Sequence, residues 1–242
     1  MQITRSLILA IIFRSHIFIA MSLKRSISSG AALEPTKQAK IEIFAPSGFN
    51  TSRVRVLTKT TKIRDDSHCV AYWMFRDQRV NDNYALLYAQ AIAKAKNVPL
   101  KVFFNLAPTF LDSTMRQYGF MLAGLQEVEQ QLRDLNIPFY LTIGKTRPYR
   151  HNKTVPSAPP LIPPHHVTGD AGVNVPRFVR EQSACALVGD FSPLREPRAW
   201  ALAAAHALDG GPDPAAPPVP YFLVDAHNVV PCWVTSGAWR PE

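Results

Sequence analysis

The sequence predicts an α/β domain built on a doubly wound, five-stranded parallel sheet. Three observations predict it. Short apolar runs alternate with longer stretches of helical period between about residues 65 and 230. Those apolar runs are nearly continuous, as expected of strands buried on both faces by crossover helices. Polar clusters follow their carboxyl ends, at Arg76 to Arg79, Asn105, Gly144 and Asp190 to Ser192. In such sheets, ligands bind beyond those ends, where the strand order reverses.

Each element has its own warrant. V70-A-Y-W-M74 reads as the first buried strand. Asn81 and Asp82 are good N-cap types ahead of N83-Y-A-L-L-Y-A-Q-A-I-A-K-A-K96, whose alanines and leucines favour helix. Lys94 and Lys96 suit the negative end of that helix, and Asn97 with Pro99 stops it. L100-K-V-F-F-N-L106 is the second strand. Asp112 or Ser113 caps a long helix whose apolar stripe is Met115, Tyr118, Leu122, Leu125, Val128, Leu132 and Leu135. Asn136 ends it, and the run from Pro138 to Gly144 is the third strand.

The stretch 146–174 is rich in Pro and His and reads as an excursion without helix or sheet. A short helix follows from Val175 to Gln182, with Pro176 in its first turn. A184-C-A-L-V-G189 is the fourth strand. A helix from Leu194 to Leu208 opens after Asp190, Ser192 and Pro193, and V219-P-Y-F-L-V224 is the fifth strand. The sequence then reads D225-A-H-N-V-V-P-C-W233, and the end of the chain follows as a short tail, 235–242. The α/β domain is therefore placed at 65–234.

Charge divides the chain at the start of that domain. Residues 1–64 hold eleven Lys or Arg and two acids, while the remainder holds sixteen of each. The net charge of +9 thus belongs to a basic N-terminal arm, read as disordered. Its first 33 residues contain no acid and carry Arg5, Arg14, Lys24, Arg25 and several serines. That composition fits an organellar transit peptide to a mitochondrion or plastid; Met21 as the true start would leave a basic tail on a nuclear or other intracellular soluble protein. The apolar stretch L7-I-L-A-I-I-F13 is too short to span a bilayer.

Several chemistries lack their signatures. There is no Gly-x-Gly-x-x-Gly after the first strand, no Gly-x-x-x-x-Gly-Lys-Ser/Thr and no Gly-x-Ser-x-Gly. Cys69, Cys185 and Cys232 are far apart and form no Cys-x-x-Cys; the two in apolar strand-like runs read as small buried hydrophobes, and the usage suits a reducing compartment. His151, His165 and His166 do not have the spacing of a metal site. The candidate ligand-binding residues are Arg76, Asp77, Arg79, Asn105 and Asp190 at the strand ends. Two readings are open for them: a small-molecule pocket, or an ion-paired frame in which Asp82 caps the first helix and the arginines pair with Asp77 or Asp190. Asp190 with Arg195 and Arg198 reads similarly, as a cap and ion pairs. D225-A-H-N228 reads either as polar groups facing out of the domain or as a turn into a linker.

Three separated segments carry a resemblance. R76-D-Q-R-V-N-D-N-Y-A-L-L-Y-A-Q90, V188-G-D-F-S-P-L-R-E-P-R-A-W200 and V224-D-A-H-N-V-V-P-C-W233 resemble, in order, segments of the class II cyclobutane pyrimidine dimer photolyases. The likeness covers roughly residues 52–235. It implies a Rossmann-like N-terminal domain that often holds an antenna chromophore of deazaflavin or folate type. It also implies a larger helical domain that binds FAD and damaged DNA and splits the dimer with light. By that resemblance the chain is a carbon–carbon lyase of DNA repair, and Arg76, Asp77, Arg79, Asn105 and Asp190 border an antenna pocket. The FAD and DNA sites would lie beyond residue 242, so this chain is expected to be a monomer, inactive alone. The alternative is a free-standing chromophore- or nucleotide-binding module acting as a light or ligand sensor.

Overall fold

The computed structural model describes residues 43–65, 67–108, 110–143, 171–210 and 216–235. The expectations for the arm up to residue 42, for most of the Pro/His-rich stretch with its histidines, for Gly144 and for the tail 236–242 lie outside the described residues.

Among the described residues a 3-10 turn at Thr51–Arg53 is followed in order by β1 (Val54–Val56), β2 (Cys69–Trp73), α1 (Tyr84–Lys96), β3 (Leu100–Leu106), α2 (Met115–Asp134), β4 (Phe139–Ile143), α3 (Ala171–Glu181), β5 (Ala184–Asp190), α4 (Arg195–Leu208), β6 (Tyr221–Val224) and the short α5 (Cys232–Thr235). The sheet order is β1-β6-β5-β2-β3-β4. β2 to β6 are the five expected parallel strands. A sixth strand joins them: β1 pairs antiparallel with β6, Val54 opposite Val224. β1 comes from the stretch read as arm, so the ordered domain starts before residue 65. Its three residues form an edge too short to carry a periodic signal.

The period of two in β2 sorts its residues between two cores. Val70, Tyr72 and Met74 face a core shared with α1 and with Val128 and Leu132 of α2. Cys69, Ala71 and Trp73 face the other core, with Val175, Phe178 and Val179 of α3 and Trp200, Ala204 and Leu208 of α4. Helices thus cover both faces, which is why every residue of β2, β5 and β6 is buried.

Four local readings need correction. The N-cap of α1 is Asn83, whose Oδ1 accepts from the Ala85 and Leu86 amides, both at 3.0 Å. Asp82 is instead a left-handed residue in the turn, at φ 52°. Thr114 precedes α2, its amide donating to Gln117 Oε1 at 2.6 Å, in place of Asp112 or Ser113. Of the stripe on α2 only Leu125, Val128 and Leu132 are buried, while Met115 is 86% exposed. α3 begins at Ala171, so Pro176 lies inside the helix rather than in its first turn.

Candidate functional site

β2 leads through α1 to β3 on one side, and β5 leads through α4 to β6 on the other. The connections diverge between β2 and β5, and their carboxyl ends open the crevice at the switch point. Asp190, the last residue of β5, fills its floor and is fully buried. Its Oδ2 accepts from the amides of Phe75 (3.0 Å), Arg76 (3.0 Å) and Asp77 (3.1 Å). Its Oδ1 accepts from the Tyr72 hydroxyl at 2.6 Å. Burial pushes the Asp190 carboxyl up to about 6, while the Tyr72 hydroxyl and the Phe75 and Asp77 amides restrain the rise and the nearby Asp77 charge adds to it. Burial and the same carboxylate hold the Tyr72 hydroxyl well above its ordinary range.

Asn83 extends this network. Its Nδ2 donates to the Tyr72 oxygen (2.8 Å) and to the carbonyls of Asp77 (3.1 Å) and Arg79 (3.0 Å). One buried amide therefore caps α1 and ties the loop 75–83 to β2.

The segment after β6 closes onto the same loop. Asp77 Oδ1 lies 3.0 Å from His227 Nδ1 and 3.7 Å from the Arg79 guanidinium. Arg79 also donates to the Ala226 carbonyl at 3.2 Å. Asp225, fully buried, accepts from the amides of His227 (3.3 Å), Asn228 (3.1 Å) and Cys232 (3.0 Å) and from Asn228 Nδ2. Burial alone would raise its carboxyl, yet these donors outweigh burial and hold it below the ordinary value. Arg53, just ahead of β1, donates to the carbonyls of Asp225 (3.1 Å), Asn228 (2.7 Å) and Val229 (2.5 Å) and lies 3.9 Å over the Tyr84 ring. Of the two readings of D225-A-H-N228, the turn is the one present.

A cavity of about 260 Å³ opens beside this frame, between the ends of β2 and β3 and the starts of α2 and α4. Trp73, Phe104, Phe110, Met121 and Trp200 supply its apolar walls, and Arg76 is the one charged lining residue among the described residues. Asn105 reaches it from β3. The Asn105 Oδ1 is held by Thr142 Oγ1 (3.0 Å) and Asn174 Nδ2 (3.3 Å). Gln78, Ser113, Gln117, Tyr118 and Ser192 complete the polar part of the lining.

The five candidate residues therefore divide. Arg76 and Asn105 line the cavity. Asp77, Arg79 and Asp190 belong to the frame beside it. Asp190 takes backbone amides and the Tyr72 hydroxyl, where an ion pair with an arginine side chain was one expectation; the Arg76 guanidinium donates instead to the Phe191 carbonyl at 3.2 Å. Asp190 also caps no helix, since its carboxylate faces the loop after β2. The sequence reading missed Trp73, Phe110, Gln117 and Trp200 as lining, because each reads locally as an ordinary strand, loop or helix residue. Among the described residues no three His, Cys, Asp or Glu side chains gather as a metal site. Nor is any helix there long and apolar enough to cross a membrane.

Fold and crevice together define a doubly wound α/β domain with an aromatic-walled cavity at its switch point. Residues 70–239 match the family model described as DNA photolyase. The chain is 39% identical over 188 residues to a deoxyribodipyrimidine photo-lyase of Potorous tridactylus, covering 78% of this chain and 29% of that protein. It is 38% identical over 187 residues to one of Arabidopsis thaliana, covering 76% of this chain and 31% of that protein. A third, from Oryza sativa subsp. japonica, is 38% identical over 170 residues, covering 69% of this chain and 28% of that protein. This chain belongs to the DNA photolyase family. It spans under a third of the length of these curated relatives.

Proposed function

We propose that this chain is the pigment-holding domain of a light-driven DNA-repair lyase acting on cyclobutane pyrimidine dimers. The observation that carries the reading is the cavity at the switch point. Aromatic and aliphatic side chains form most of its lining among the described residues, with a few polar groups and the Arg76 cation at the margin. That is the chemistry of a site for a flat conjugated ring, with fixed groups to orient it. At about 260 Å³ it falls just below the roughly 300–1,000 Å³ range of pockets that enclose a whole drug-sized ligand. It accepts the ring system of a deazaflavin or folate and leaves the tail outside, near Arg76.

FAD, the flavin cofactor expected for dimer repair, does not fit this cavity, because a dinucleotide is larger than the ligands such volumes enclose. The repair chemistry, and the grip on damaged DNA, would need parts of the relatives that these 242 residues do not span. The near-neutral balance of residues 65–242 accords with that division, since a domain that grips phosphates carries excess positive charge.

The reading is tested by assaying the purified chain for dimer splitting under blue light and extracting it for pigment. The expected result is a pigment with no repair. Repair by this chain alone would place the catalysis within it and overturn the division of labour proposed.

A further inference from the structure

Two tryptophans lie in the wall of the cavity. Trp73 ends β2 and is 1% exposed; Trp200 is on α4 and is 8% exposed. Neither indole N–H has a hydrogen-bond partner among the described residues. A tryptophan placed only for packing usually finds an acceptor for that N–H. A phenylalanine would fill similar space with no unmet donor. The two indoles are also embedded in other rings. Trp73 lies 5.2 Å from Phe75 and 6.4 Å from Tyr221, and Trp200 lies edge-on to Phe110 at 5.7 Å. Tyr221 is fully buried and its hydroxyl also has no partner among the described residues.

We infer that Trp73 and Trp200 are ultraviolet-harvesting partners of a pigment seated in this cavity, extending the band of light it collects. The inference rests on the pigment reading above. An excited indole loses its energy to a neighbouring chromophore by dipole coupling, which falls steeply with distance and needs its emission to overlap the acceptor's absorption. The distance condition is met by residues that touch the cavity. An indole in apolar surroundings without a hydrogen bond emits at the short-wavelength end of its range, so the long-wavelength side of that emission supplies the overlap with the near-ultraviolet absorption of deazaflavins and reduced folates. Tight packing fixes the ring orientations. Tyr221, tilted against Trp73 at 6.4 Å, adds a donor of higher energy to the same path. Nothing is oxidised or reduced in this transfer.

The test uses the full chain loaded with a 5-deazaflavin and, separately, with a reduced folate. Retention of either through gel filtration tests the pigment reading by itself. The inference is then read from the excitation spectrum of the pigment's emission. The expected result is an indole band in that spectrum, with tryptophan emission falling severalfold on loading. Trp73→Phe and Trp200→Phe should each weaken the band while retaining the pigment, and Trp233→Phe, at a ring outside the cavity lining, should leave it largely unchanged. The wild-type spectrum decides even where a variant fails to fold. A retained pigment with no indole band overturns the inference and leaves the pigment reading standing. So does stronger pigment emission in the Trp→Phe variants, which would make the indoles quenchers by electron transfer. A pigment that is not retained overturns both.

Discussion

The Tyr72 hydroxyl donates to Asp190 Oδ1 at 2.6 Å, joining β2 to β5 at the switch point of the sheet. Both groups are fully buried, and each is satisfied in a way that depends on the other. Tyr72 donates its O–H to the carboxylate and accepts from Asn83; Asp190 accepts that hydroxyl on one oxygen and three amides on the other.

Tyr72→Phe should therefore destabilise the domain without unfolding it. The substitution keeps the ring but removes one donor to Asp190 and one acceptor for Asn83. Leaving such buried groups short of a partner costs about 1–3 kcal/mol. Urea unfolding followed by circular dichroism should show a lower midpoint at unchanged slope. A midpoint equal to wild type would mean that the bond contributes nothing net.

Stability should also carry a pH signature from Asp190. Its carboxyl sits at about 6, above the 3.8 of an ordinary aspartate. The folded state thus holds this proton more tightly than the unfolded chain does. The resulting stability is fully present below about pH 4 and is lost as pH rises through about 6. Asp225, with its carboxyl lowered, acts in the opposite direction and loses its contribution as pH falls. Comparison with Asp190→Asn cancels Asp225. The wild-type advantage over that variant should shrink between about pH 4 and 6, by at most about 3 kcal/mol. An advantage that grows across this window would contradict the assignment.

Gly189 is required by the ring packed against it. A Cβ there would sit 2.6 Å from the Tyr221 hydroxyl and 3.0 Å from its Cε2. Tyr221 is fully buried, so the ring has little room to retreat. Gly189→Ala should cost about 1–3 kcal/mol by overpacking. Tyr221→Phe removes the closest atom, and with it a hydroxyl that has no partner among the described residues. The double variant should recover part of the loss, so the two effects will not add.

Arg53 places the segment before β1 inside the fold. Arg53→Lys keeps the charge but loses the planar fork that reaches three carbonyls and lies over Tyr84. A loss of about 2–4 kcal/mol in thermal or urea unfolding is expected, as for a buried charge that loses partners. A variant as stable as wild type would show that the loop 225–229 holds its shape without this clamp.

Much of this frame was legible in the sequence, and the exceptions have physical reasons. The buried parallel strands announce themselves because both faces must be apolar, as in C69-V-A-Y-W73. The polar strand ends point to the switch point. The choice of Asn83 over Asp82 as cap was not legible, because both are good capping types and only the left-handed turn at Asp82 decides between them. β1 is too short for periodicity, and its pairing partners, from Val54 opposite Val224 to Val56 opposite Phe222, lie far away in sequence. The cavity left least trace. Its walls come from β2, β3, α2 and α4 and from the loops after the strands, and its lining is mainly apolar, so no local motif marks it. The upper part of the α2 stripe reads as core for the same reason: Tyr118 meets the cavity rather than the sheet.

The central claim is that this cavity holds a flat aromatic pigment, and one titration tests it most directly. The purified chain and an Ala107→Trp variant, whose new ring would fill the cavity, are titrated with a 5-deazaflavin and with a reduced folate and followed by absorption above the protein band. The expected result is saturable binding of at least one pigment by the wild type, weakened tenfold or more in the variant. Equal binding by both chains, or none by the wild type, would contradict the claim.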